Sequence, residues 1–131
     1  MKNLQKILIL SIIVILTWSC EKHDSIKVND NDFLKSLLKQ GIDKDGDGKI
    51  SPAEAESVVS LHIDNAAITD LTGIEAFINL DTLFCHDNNL TSLNVSNLLN
   101  LVYLSCEFNN ISSIDVSKNI KLKFLACSYN P

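Results

Sequence analysis

No basic patch with interleaved aromatic side chains occurs in these 131 residues, and nucleic acid is thereby excluded as an expected partner. Lys and Arg together number 11 against 16 Asp and Glu, a formal net charge of −5. No phosphate-cradling loop and no nucleophile–base arrangement stands out. No Cys-x-x-Cys pair is present, so the usual zinc spacing is missing. The chain also lacks a run of roughly 20 apolar residues, the length a membrane-spanning helix needs. These absences leave room for one small domain without obvious chemistry.

What the sequence does contain is repetition. From Asn79 the chain reads NLDTLFCHDNNLTSLNVSNLL, then NLVYLSCEFNNISSIDVSKNI, then KLKFLACSYNP. The step of 21 holds for Leu83, Leu104 and Leu125, for Cys85, Cys106 and Cys127, and for Asn88, Asn109 and Asn130. A fixed period near 20 with leucine at set offsets marks a solenoid, in which stacked coils bury a core that none could bury alone. The alternation around Leu83-x-Cys85 suits a short strand with one face inward. The repeated Asn can turn the chain by satisfying backbone groups that the bend leaves unpaired. A fainter copy upstream sets Val58, Leu61, Ile63, Ile68 and Leu71 in the same places, with a step of 22 and Ala66 where Asn should be.

The pattern L-x-x-L-x-C-x-x-N-x-L/I-x-x-L/I resembles the leucine-rich repeat, in particular the 21-residue cysteine-bearing repeats of internalin-like bacterial surface proteins. The resemblance implies an α/β solenoid: a right-handed coil with short parallel strands, beginning near residue 58 and running to 131. It also implies a concave face that binds protein, or a glycan. Outward strand positions supply the candidates, chiefly His62, Phe84, His86, Tyr103, Glu107 and Phe124, with Ser105 among the lesser ones. Scattered surface aromatics are the bland alternative. His62 and His86 sit at different offsets and are not expected to form a metal or catalytic pair. An odd number of repeat cysteines argues against a disulfide framework, so Cys85, Cys106 and Cys127 are expected as buried hydrophobes in a thiol ladder.

Upstream of the repeats, Asp43-Lys-Asp45-Gly-Asp47-Gly48-Lys49-Ile50-Ser51-Pro-Ala-Glu54 fits D-x-[DN]-x-[DN]-G-x₅-E. It resembles the EF-hand loop, which implies one calcium ion. Its ligands would be Asp43, Asp45 and Asp47, the Lys49 carbonyl, Ser51 and both oxygens of Glu54. The alternative is a DG-rich turn without metal. Asn31 or Asp32 is expected to cap a preceding helix whose Phe33, Leu34, Leu37, Leu38 and Ile42 share a face. Ser51-Pro52-Ala53-Glu54 reads as a capping box opening the next helix. Residues 32–57 are therefore expected as a helix-loop-helix cap on the solenoid.

At the N-terminus, Lys2 and Lys6 precede the apolar run Ile7 to Leu16, the layout of a signal peptide over residues 1–19. An uncleaved anchor is the alternative. Cys20 after that run resembles a bacterial lipobox, although Thr17 and Trp18 depart from its pattern. The resemblance implies lipidation of Cys20 and a place in a bacterial cell envelope. Residues 20–31 read as a polar tether. Loss of residues 1–19 removes two lysines and no acid, leaving 9 basic against 16 acidic residues. The sequence stops inside a repeat, so it is expected to be part of a longer protein, the alternative being an unprotected last coil. A non-catalytic binding role is the main reading. A spacer, or an accessory region of an enzyme whose catalytic part lies elsewhere, is the other.

Overall fold

The computed structural model describes residues 24–131. The leader, Cys20 and His23 lie outside the described residues.

Helix α1 spans Asn31–Lys39 and α2 spans Pro52–Glu56, with the acidic loop between them. Four three-residue strands follow, one per coil: β1 (Ser60–His62), β2 (Thr82–Phe84), β3 (Tyr103–Ser105) and β4 (Phe124–Ala126). They pair in chain order as one parallel sheet. Leu61 lies opposite Leu83, Leu83 opposite Leu104, and Leu104 opposite Leu125. The steps of 22 and 21 in the sequence are thus the register of the sheet. A 3₁₀ turn at Ile74–Ala76 is carried only by the first coil.

The core is the periodic set. Leu61, Ile68, Leu83, Leu90, Leu98, Leu101 and Leu104 are fully buried. Burying such a side chain contributes roughly 1.5–3 kcal/mol relative to exposure. Cys85 and Cys106 are buried among them as free thiols, while Cys127 is exposed. Burial pushes the Cys106 thiol up to about 11 and the Cys85 thiol higher still, each reinforced by a neighbouring thiol. Both stay protonated and behave as small hydrophobes.

The repeated asparagines do more than turn the chain, because each reaches back to the preceding coil. Asn88 Oδ1 accepts from the N–H of Ala66 and Ile68, while Nδ2 donates to the carbonyls of Ile63 and Cys85. Asn109 repeats this one coil on, with the Leu90 N–H and the Cys85 and Cys106 carbonyls. Asn130 does so again with Ile111, Cys106 and Cys127. The Ala66 exception follows: the first coil has only the cap behind it.

The cap is tied on differently from expectation. Asp30, rather than Asn31 or Asp32, is the N-cap of α1. Its Oδ1 accepts from the N–H of Asp32 and Phe33, and its Oδ2 from the Thr69 N–H, the Thr69 hydroxyl and the Asp70 N–H. The position is chosen by these distant partners as well as by the helix. Phe33 and Leu37 then bury completely, with Leu34 and Leu38 partly buried beside them.

Residues 24–30 also depart from the tether reading. Ile26 donates its N–H to the Ile50 carbonyl at 2.8 Å, and Ile26 and Val28 pack on the core. A Cβ added at Gly73 (φ +106) would lie 2.6 Å from the Lys27 carbonyl oxygen, so the strap needs glycine there. Two apolar residues, one backbone bond, the Asn29 side chain donating to Asp70 Oδ2 and the Asp30 carboxylate hold it down.

Desolvation raises the Asp30 pKa, but the hydrogen bonds from Thr69, Phe33 and Asp32 outweigh it and bring the group to about 2. A carboxylate depressed in the folded state adds stability that is present above its unfolded value and lost as pH falls through the folded one. Asp30→Ala is expected to cost on the order of 2 kcal/mol at pH 6, the cap bonds and the bonds to the first coil together. That gap should close as pH falls from about 4 to about 2. Urea unfolding of both chains across this range checks it, and a gap independent of pH contradicts it.

Candidate binding face and metal-binding loop

Because side chains alternate along a strand, the residues flanking each buried leucine face outward. His62, Phe84, Tyr103 and Phe124 thereby meet across all four strands. His62 stacks on Phe84 with centroids 4.7 Å apart and planes 17° apart. Phe84 lies 5.0 Å from Tyr103, and Tyr103 lies 5.5 Å from Phe124. His86 meets the edge of Phe84 at 6.4 Å. The two histidines, set apart in the sequence reading, therefore converge on one phenylalanine. Ser60 Oγ lies 3.3 Å from His62 Nε2, and Asp87 Oδ2 lies 2.8 Å from His86 Nδ1.

Phe84 and Tyr103 are half-buried, and Phe124 is 59 % exposed. Glu107, half-buried, follows two residues after β3 in phase with His86. Ser105, expected outward, is buried because its short side chain lies in register between Phe84 and Ala126 and does not rise past the ring.

A second ring pair was not anticipated. Phe108 and Tyr129 stack at 4.2 Å with planes 7° apart. Both hold positive φ, +51 and +58, as do Asn65 and Asp87 at the same place in the earlier coils. That place is the residue before the repeated Asn, or before Ala66 in the first coil. The alignment column was visible in the sequence, but the left-handed turn in it was not.

The acidic loop is wound by its own backbone. Asp43 Oδ1 accepts from the Gly46 N–H and Oδ2 from the Gly48 N–H, at 2.7 and 3.0 Å. Asp45 accepts from the Asp47 N–H, and Asp47 from the Lys49 N–H. Gly46 and Gly48 adopt φ of +76 and +80, which lets the chain bend this tightly. One ligand atom from each of Asp43, Asp45 and Asp47 lies within 4.8 Å of the others. Such a cluster of hard oxygens could hold a divalent cation.

Glu54 does not join that cluster. Its Oε1 accepts from the Lys44 N–H at 2.6 Å, and its Oε2 from the Ser51 N–H and hydroxyl at 2.8 and 2.9 Å. The N–H bonds of Ser51 and Lys44 draw its pKa down to about 2. The Ser51 capping box is present as expected, so Glu54 closes the loop onto the start of α2. The loop's own bonds engage both oxygens of Asp43 and one each of Asp45 and Asp47, and Asp45 has a further interaction. The donor set still matches a hard cation, with Lys49 and Ser51 flanking it in sequence.

Four parallel strands stacked one per coil, over leucines and thiols at a common step, make this fold a leucine-rich repeat solenoid. It is similar to the functional domain of InlJ from Listeria monocytogenes, which includes a cysteine ladder. The TM-score is 0.65 at 30 % identity, over 83 % of this chain and 26 % of that one. It shares its fold with an internalin (inlF) from Listeria monocytogenes str. 4b F2365, at TM-score 0.73 and 21 % identity, over 85 % of this chain and 34 % of that one. A structure of the CBM51-2 and INT domains of ZmpB from Clostridium perfringens, in complex with GlcNAc, matches 66 % of this chain and 18 % of its own. There the TM-score is 0.56 and the identity 29 %. The chain thus spans about a quarter to a third of the two Listeria proteins. No family model matches it, and no curated protein matches it by sequence.

Proposed function

We propose that this chain is the binding part of a non-catalytic protein of a bacterial cell envelope. Its ligand, a protein or a glycan, would be held on the outward face of the sheet. The observation that carries this reading is the unbroken row of His62, Phe84, Tyr103 and Phe124 across four strands. None of these rings fills the leucine core, and a few clustered aromatics commonly dominate binding energy. A second reading, a spacer or accessory region in a longer surface protein or enzyme, is favoured by the small share of each matched chain that this one covers. A spacer has no need of that row.

A photo-crosslinking residue at position 103 or 124 should trap the same envelope component. One at exposed Ser113, in the return segment of the coil, should not. Phe84→Ser, Tyr103→Ser and Phe124→Ser together should lower affinity for that component by about tenfold or more while the circular dichroism is kept. Equal trapping from position 113, or full affinity in the triple variant, favours the spacer.

The acidic loop is read as a structural calcium site in the cap, with Asp43, Asp45, Asp47, the Lys49 carbonyl, Ser51 and Glu54 as ligands. When bound, the ion would supply charge neutralisation and stability; no catalytic step is asked of it. Binding to the folded chain alone adds about 2.7 kcal/mol at a hundredfold excess over Kd. Asp45→Asn and Glu54→Gln should each remove most of the calcium-dependent rise in Tm. A wild-type Tm that is the same in calcium and in chelator rejects the site.

Attachment to the membrane is assigned to lipid on Cys20. Labelled palmitate should enter the wild-type chain and not Cys20→Ala. Labelling of that variant, or none of the wild type, rejects the anchor.

A further inference from the structure

The outward face is organised in parallel rows, and their chemistry narrows the ligand. In the ring row, Phe84 and Tyr103 each have an aromatic neighbour on both sides. His62 and Phe84 are stacked, and the Phe84–Tyr103 and Tyr103–Phe124 pairs are tilted by 38° and 33°. A sugar ring packs on an open aromatic face, and each inner ring of the row has another ring within 5.5 Å on either side. Aliphatic side chains make no such demand and pack against ring edges.

Next to that row, on the C-terminal side of the strands, Asp64, His86, Glu107 and Ser128 stand in phase. Backbone bonds from Asn65 to His86, Asp87 to Glu107, and Phe108 to Ser128 keep the coils in step here. His86 is held against the Asp87 carboxylate. No lysine stands in this row or in the corner column after it. Its fixed charges are all negative.

The corner column closes the row on its far side. Asn and Asp, as at positions 65 and 87, readily take the left-handed backbone found there, whereas bulky residues such as Phe108 and Tyr129 seldom do. The conformation is strained for a side chain of this kind. Yet Phe108, in an interior coil, is 47 % exposed, so core burial does not compensate it. Strain kept on an exposed ring points to a task at the surface.

We propose that this face receives a segment of another protein that carries Lys or Arg beside apolar side chains. Its cationic heads would meet Asp64 and Glu107 in this row and Asp87 in the corner column beside it, and its apolar groups the rings on either side. The idea rests on the outward-face reading above and deepens it. Lysine and arginine suit the arrangement because their stems pack on apolar surface while their heads reach a carboxylate. The chain's net charge of −5 steers such a partner inward. A second copy of this chain would set acid row against like charge.

The test pans a phage-displayed random peptide library against the immobilised full chain in calcium, with a glycan array in parallel. Recovered peptides should be rich in Lys or Arg next to aliphatic residues, and their binding should weaken steeply with salt. They should bind an Asp64→Asn, Asp87→Asn, Glu107→Gln chain at least tenfold more weakly and not bind the Phe84, Tyr103, Phe124 serine variant. Phe108→Asn should weaken them without lowering Tm, which separates a surface role from a folding one. The salt dependence of the wild type stands even if a variant misfolds. Peptides that need the rings but ignore charge and salt overturn the cationic partner and leave the face reading standing. Ring-dependent sugar binding, or no enrichment of basic peptides, overturns it too. Peptides indifferent to the ring substitutions overturn the face reading itself.

Discussion

The middle coils of this solenoid depend on the buried amides of Asn88 and Asn109. A coil that bends at every corner leaves backbone N–H and C=O groups facing the interior, where an unpaired one costs about 1–3 kcal/mol. Asn109 answers one donor and two buried acceptors at once, and it draws them from two successive coils. Leucine burial alone is non-directional and would let the coils slide. The asparagine bonds have geometry, so they turn apolar stacking into a fixed register. A leucine at position 109 would add apolar surface and strand all three groups.

The outward face inherits that register. Rings on neighbouring strands meet at 4.7 to 5.5 Å because the coils beneath them are held in step. At the other end, Asp30 performs the corresponding task between cap and coil with a single carboxylate. The Ile26–Asp30 strap touches both the acidic loop, through the Ile50 carbonyl, and the first coil, through Thr69 and Gly73. Order in the loop and order in the first coil are therefore linked through one short segment.

Much of this was legible in the sequence wherever burial repeats. Leucine, cysteine and asparagine recur at step 21 because each fills an inward place that every coil must have, and the four strands fall where that step puts them. The aromatic row was legible for the same reason, since outward positions follow from inward ones. Where the reading failed, the deciding partner lay far along the chain. Asp30 was passed over for Asn31 and Asp32 because its second set of bonds goes to Thr69 and Asp70. Ile26 and Val28 looked like tether because two apolar residues in a polar run have no period, and the carbonyl that pairs with Ile26 belongs to Ile50. The motif gave Glu54 only a ligand's part, and its bonds to the N–H groups of Lys44 and Ser51, which close the loop, went unread. Phe108 and Tyr129 were missed because bulky residues seldom take positive φ, so nothing in their identity announces the corner.

Amide hydrogen exchange on the native chain tests the asparagine bonds directly. The N–H groups of Ile68 and Leu90 point at side chains, the Oδ1 atoms of Asn88 and Asn109, and at no strand partner. If those amides hold the coils together, both should be as slow to exchange as the N–H of Ile63 and Cys85, which pair between strands. Fast exchange at Leu90 and Ile68 beside slow exchange at Cys85 and Ile63 would mean that the strands hold the coils and the asparagines merely fill the corners.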